Sequence, residues 1–180
     1  MKKIKKHMGI ISPMPPADQG VQPNRLQLIP RVLVFITYGR EVLLLKGAPT
    51  KRIWAGKYNG VGGHVERGED VLSAAYREVK EETGLPITNL RLKGIIVVDA
   101  DGPTGIGLFI FTATAAQRDA ISGPEGSLEW IPFDQIHTLD LVEDLPSLLP
   151  KVLALTDADL RLFGRYWYNA DGQLQIQFAG

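Results

Sequence analysis

Two apolar runs open the patterned part of the chain, "RVLVFIT" over 31–37 and "EVLLLK" over 41–46, parted by "YGR". They are rich in aliphatic and β-branched residues and too short for helices, so they predict a hairpin of buried strands. "LRLKGIIVVDA" (90–100) and "GLFIFTATA" (107–115) predict two more strands around the turn "DGPTG". "SLEWIPF" (127–133) gives a further short strand that ends at Pro132. "FGRYWYNADGQLQIQF" (163–178) alternates on both sides of "NADG", the pattern of a closing hairpin.

Two stretches have helical spacing. "EDLPSLLPKVLAL" (143–155) predicts a helix with Asp144 as its N-cap and Pro150 limiting or kinking its start. The second predicted helix runs from Val71 to Thr83, between a capping Asp70 and Gly84, which is free to take the left-handed turn. On a wheel of about 100° per residue with Glu78 at zero, Val71, Ala75, Val79, Leu72 and Tyr76 fall at roughly +20° to +160°. Glu82 then lies near +40° and Glu81 near −60°, so the glutamates border and penetrate the apolar arc. Lys80 and Ser73 mark the wet side.

A solvated charge run belongs opposite the apolar arc, and this one does not lie there. Partly buried carboxylates repel one another and are costly unless a cation neutralises them. Glu78, Glu81 and Glu82, spaced i, i+3, i+4, therefore predict a metal site. The chain has no cysteine, which excludes thiolate ligands, disulfides and a cysteine nucleophile. Carboxylates alone indicate a hard divalent ion, Mg²⁺ or Mn²⁺, and Mg²⁺ favours phosphate oxygens, so a phosphorylated substrate follows. Gly60, Gly62 and Gly63, just before the helix, let the backbone approach closely, and a helix N-terminus tolerates anions.

The remaining totals set limits. With 20 Lys and Arg against 20 Asp and Glu, no basic surplus argues for a nucleic-acid partner. Five of the twelve prolines lie in the first 30 residues, which predicts a flexible tail over 1–28 followed by a single α+β domain over 29–178. The basic start "MKKIKKHMGIISPMPP" is broken by prolines before it can act as a secretion signal, and no apolar run approaches a membrane span. A cytoplasmic protein without membrane contact is expected.

The glutamate-rich segment also has a recognisable spacing. Gly63, Glu69, Arg77-Glu78-Val79, Glu81-Glu82 and Gly84-Leu85 match all nine specified positions of the Nudix box, so the chain resembles a Nudix hydrolase. The resemblance implies an α/β/α sandwich around a mixed sheet and hydrolysis of nucleoside diphosphates linked to another moiety. It assigns Glu78, Glu81 and Glu82 to divalent metal, Arg77 to orienting them, Glu69 to supporting the loop and helix, and Gly63 to shaping the loop. Glu81 or Glu82 is the candidate general base. The family also uses a downstream acid, for which Glu125, five residues before Trp130, is the counterpart; a plain loop glutamate is the other reading.

Beyond the box, "YNGVGG" and "LEWIPFDQI…LVEDLPSLLP" resemble MutT-like enzymes that hydrolyse oxidised purine nucleoside triphosphates such as 8-oxo-dGTP. On that resemblance Asn59 and Asp144, with Glu143, read the base, and Gly62 and Gly63 line the substrate. The tryptophan of that pattern is absent, Leu141 or Val142 standing in its place. Trp54 and Tyr58 either line a base pocket or fill the loop. ADP-ribose, a dinucleoside polyphosphate or capped RNA is the alternative substrate class. A regulatory nucleotide-binding module is the reading from another class; such modules often lose glutamates from the box or carry an added DNA-binding domain, and this box has lost none.

Overall fold

Strand β1 (Gln27–Tyr38) changes partner halfway along its length, and the candidate site is built in the resulting fork. Near its end it pairs antiparallel with β2 (Glu41–Gly47), Ile36 opposite Leu43 and Tyr38 opposite Glu41. Its first half is bonded instead to residues 61–65: the Val34 N–H donates to Val61 O at 2.7 Å and the Val32 N–H to Gly63 O at 2.9 Å. Between these contacts lies β3 (Tyr58–Asn59), which pairs with the far end of β2. This computed structural model describes residues 20, 22, 24–100, 102–156 and 162–179. Most of the tail expected over 1–28 lies outside the described residues.

The other edge of β1 runs parallel to β5 (Thr104–Ala115), with Gln27 opposite Thr104 and Thr37 opposite Thr114. β5 pairs antiparallel with β4 (Ile87–Asp99), β4 parallel with β7 (Leu162–Tyr168), and β7 antiparallel with β8 (Leu174–Phe178). β6 (Gly126–Pro132) lies antiparallel on β2. The order is β3-β2-β1-β5-β4-β7-β8 with β6 added at β2, a mixed sheet.

Strand alternation sorts the core into two layers. Val32, Val34 and Ile36 of β1 face helix α1 (Val71–Thr83), in one cluster with Ala74, Ala75 and Val79. Leu33 and Phe35 face the opposite way, in a cluster with Leu145, Leu148, Leu149 and Val152 of helix α2 (Leu145–Ala154). The expected α/β/α sandwich is the observed architecture, and the predicted strands and both helices form.

Helix α1 has the expected ends. The Asp70 carboxylate accepts the N–H groups of Leu72 and Ser73 at 2.8 and 3.0 Å, and Gly84 takes φ 65° while its N–H donates to Lys80 O. Its buried face differs from the predicted arc. Leu72 and Tyr76 are 45% and 47% exposed, whereas Ala74 and Thr83 are fully buried. Small residues bring the helix close to β1, which centres the inner face near Glu78 and Glu82 rather than on the two larger side chains.

Helix α2 departs from expectation at its start. Asp144 occupies the N-cap position but has helical backbone angles (φ −87°, ψ −24°), and its side chain makes no capping bond. Pro146 stands at the second helical position, where a missing N–H goes unnoticed. Pro150 lies inside the helix rather than limiting its start.

Candidate active site

One guanidinium organises the entry to α1. Arg77 Nε and Nη2 donate to the two oxygens of Glu69 at 3.1 and 2.7 Å, and Nη2 also donates to His64 O at 2.9 Å. Nη1 donates to Glu78 Oε1 at 2.8 Å and Glu81 Oε2 at 3.1 Å. All five N–H groups of the arginine are thereby used, a set that a lysine cannot reproduce. Glu69 also accepts the Glu66 N–H at 2.7 Å, which ties the loop to the helix. The Arg77 hydrogen bond, then that N–H, hold the Glu69 carboxyl below its ordinary range, and Glu69 first and Glu78 second push the Arg77 guanidinium up.

Glu78 and Glu82 are partly buried on the inner face, whereas the Glu81 side chain is 59% exposed. The three carboxylates therefore do not all point inward, because Glu81 sits outside the arc that packs on β1. Glu82 accepts the Gly62 N–H at 3.0 Å. Burial foremost, with lesser repulsion from Glu125 and Glu78, pushes its carboxyl up to about 7 against the bond from Gly62. The Glu78 carboxylate occupies the place where a Cβ on Gly63 would stand, so that glycine is a steric requirement of the glutamate's position. Among the described residues no three His, Asp or Glu side chains form a ready-made metal cage.

Two adjoining cavities open beside these carboxylates. The first, of about 220 Å³, has aliphatic walls from β1, β4, β5 and β8 and polar groups from Asn59, Glu143, Asp144 and Tyr166. The second, of about 330 Å³, is lined by Glu82 and Glu125 together with Lys51, Arg52 and Lys57. Arg31, Trp54, Asn59, Gly60 and Gly62 border both. Lys51 Nζ donates to Glu125 Oε2 at 2.7 Å, which holds Glu125 in the wall. The Asn59 side-chain carbonyl accepts the Gly60 N–H at 2.8 Å, fixing the amide at the junction. The Asp144 carboxyl, which does not cap α2, is pushed up by burial and then by Glu143.

The structure thus brings Asn59, Gly62, Glu82, Glu125, Glu143 and Asp144 to one continuous space, while Gly63, Glu69, Arg77 and Glu78 stay outside both linings. Glu81 lines neither cavity. Trp54 is a cavity residue with a left-handed backbone at φ 61°, and Tyr58 is a core residue whose hydroxyl donates to Glu129 at 2.8 Å. Sequence reasoning missed Arg31, Lys51, Arg52, Tyr166 and Tyr168. The cations of "TKRIWAGK" between two strands were a readable signal; Arg31 and the two tyrosines, inside strand patterns, carried none.

The NUDIX domain family matches residues 27–152. The oxidized purine nucleoside triphosphate hydrolase of Mus musculus is 34% identical over 124 residues, 66% of this chain and 78% of that protein. Its Danio rerio namesake is 34% identical over 125 residues, with the same shares covered, 66% and 78%. A MutT protein of known structure from Bacillus halodurans aligns with a TM-score of 0.67 at 27% identity, covering 84% of this chain and 97% of that one. The chain belongs to the NUDIX family and is a Nudix hydrolase. No helix among the described residues is long and apolar enough to cross a membrane.

Proposed function

We propose that the protein is a divalent-metal-dependent pyrophosphohydrolase of nucleoside triphosphates, oxidised purines such as 8-oxo-dGTP among them. Water and the triphosphate give the monophosphate and pyrophosphate. The observation that carries this reading is the pairing of the two cavities: an aliphatic chamber with a polar end opens, past Asn59 and Gly62, into one lined by cations and carboxylates. A nucleobase suits the first and the phosphate chain the second. The 34% identity to hydrolases named for oxidised purine triphosphates supports the same substrate class.

The donor set fits Mg²⁺, or Mn²⁺ in its place. Glu82 is partly buried with its carboxyl pushed up to about 7 by burial first and then by the charges of Glu125 and Glu78, a combination that a hard cation relieves. Glu78, Glu81 and Glu82 would hold the ion, while Glu69 keeps both its oxygens on Arg77. Bound there, a divalent ion would offset phosphate charge and orient the attacked group. Arg77 and Glu69 keep α1 and the preceding loop in register, while Arg31, Lys51 and Arg52 attract the phosphate chain. Glu82 and Glu125 face the phosphate chamber, so the proton of the attacking water goes to one of these two carboxylates and not to exposed Glu81. Asn59 and Asp144, with Glu143, meet the base edge.

The test is a substrate panel on the purified chain with and without Mg²⁺: dGTP, 8-oxo-dGTP, ADP-ribose, a dinucleoside polyphosphate and capped RNA. Metal-dependent conversion of a purine triphosphate at the highest kcat/KM is the expected result. Far faster turnover of ADP-ribose or capped RNA would replace this substrate assignment.

A further inference from the structure

The wall of the first cavity holds a polar group that the proposed chemistry leaves unused. Tyr166, on β7, is only 2% exposed, and its buried hydroxyl has no hydrogen-bond partner among the described residues. The residue is set in register between Val98 of β4 and Ile176 of β8, and its ring meets Phe178 edge to face with centroids 6.2 Å apart. A ring held in this way cannot carry its oxygen out to water.

Buried hydroxyls are nearly always paired, because leaving one unpaired forfeits its hydration without return. Here Leu33, Val98, Ile106, Leu108 and Leu174 make much of the wall aliphatic, and none of its polar groups, Asn59, Glu143 and Asp144 among them, is hydrogen-bonded to the hydroxyl. Asp144 lies in the same wall, its side chain unspent on the helix it precedes. Burial first, then the charge of Asp144, hold the Tyr166 phenol far above its ordinary range, so it remains a neutral donor. A neutral O–H donor set in an aliphatic chamber awaits an acceptor on whatever enters. On the edge of a heteroaromatic ring the strongest neutral acceptor is a carbonyl oxygen.

We infer that Tyr166 is a specificity-determining residue of this cavity, its buried hydroxyl donating to a carbonyl oxygen on the edge of a purine ring beside Asp144. This rests on the proposed function only in taking the entering ring to be a purine. A site built to bond a polar group rejects the analogue lacking it, because the protein's own group is then left unpaired. The hydroxyl thereby selects purines with a ring carbonyl over those without.

The test compares the full chain with Tyr166→Phe, which removes one oxygen and keeps the ring. Calorimetry with IMP, GMP and purine riboside 5′-monophosphate reads binding apart from turnover. In the wild type IMP or GMP should bind more tightly than the carbonyl-free nucleotide. The variant should weaken IMP and GMP by about tenfold and the carbonyl-free nucleotide by less than about twofold, and its melting point should equal or exceed that of the wild type. A carbonyl preference unchanged by the substitution, or a wild type that binds no purine monophosphate, overturns the inference. A variant that melts well below the wild type also overturns it, since the hydroxyl would then have a partner in the free fold. Hydrolysis of dGTP in the same samples judges the functional reading separately: no turnover with the binding pattern intact removes the pyrophosphohydrolase and leaves Tyr166 in its role.

Discussion

The Gly62 amide donates to Glu82 Oε2 at 3.0 Å, joining the last turn of α1 to the loop that borders both cavities. That bond holds a carboxylate in a place where its charge is poorly hydrated, with Glu78 and Glu125 nearby. A group placed so is costly to the free fold, a cost that the cation and phosphate chain of the proposed reaction would offset.

Glu82→Gln should therefore separate stability from activity. The folded Glu82 binds its proton up to about pH 7 against an ordinary value of 4.5, so between these values the folded state holds more protons than the unfolded one. The metal-free wild type accordingly loses stability as pH rises through that window, by on the order of 3 kcal/mol at most. The variant should lack this slope and be the more stable protein at pH 8, while turnover falls by about a hundredfold or more. Urea denaturation in EDTA at pH 5 and pH 8, beside a hydrolysis assay, checks both halves.

Arg77→Lys should behave as a serious loss although charge is retained. The lysine has three donors on a flexible stem and cannot hold Glu69, Glu78, Glu81 and His64 O together. The site is partly hydrated, so we expect about 1–2 kcal/mol of destabilisation, with activity down by about tenfold to a hundredfold. Thermal melts and the Mg²⁺ concentration needed for half-maximal rate measure the two effects. A variant with wild-type metal dependence would show that the guanidinium does not arrange the carboxylates.

Gly63→Ala places a methyl group on the Glu78 carboxylate. The clash is with the end of a side chain, which yields cheaply, so the fold should survive with a melting point within a few degrees. Moving Glu78 is what matters, and kcat should fall by about tenfold or more. If kcat stays at the wild-type value, Glu78 has no part in holding the metal.

Trp54→Gly tests the residue at the cavity junction. A tryptophan at φ 61° is strained, and glycine relieves that, so stability should hold or rise by about 0.5–1 kcal/mol. KM for the triphosphate should rise several-fold through loss of the aromatic surface shared by both cavities. Steady-state kinetics decide the point; an unchanged KM would reduce Trp54 to loop filler.

Local signals were legible wherever one segment carries the whole of the information. Asp70 and Gly84 bound α1 as read because caps depend on neighbouring atoms alone. The box spacing was equally plain, since its partners lie within one loop and helix. What the sequence withheld depends on distant contacts. The parallel pairings of β1 with β5 and β4 with β7 leave no mark on either strand. Leu72 and Tyr76 looked like core by hydrophobicity, and the alanines decided which face packs. Asp144 has the residue type of a cap, yet its backbone continues the helix and its side chain belongs to the cavity. Tyr166 reads as an ordinary strand residue until the sheet closes around it.

The most direct test is product analysis of 8-oxo-dGTP and dGTP after incubation with the purified chain and Mg²⁺, repeated with EDTA and with Glu82→Gln. Equimolar nucleoside monophosphate and pyrophosphate are expected with metal, and neither product above background in the two controls. Release of orthophosphate in place of pyrophosphate, or equal hydrolysis with and without metal, would contradict the proposed reaction.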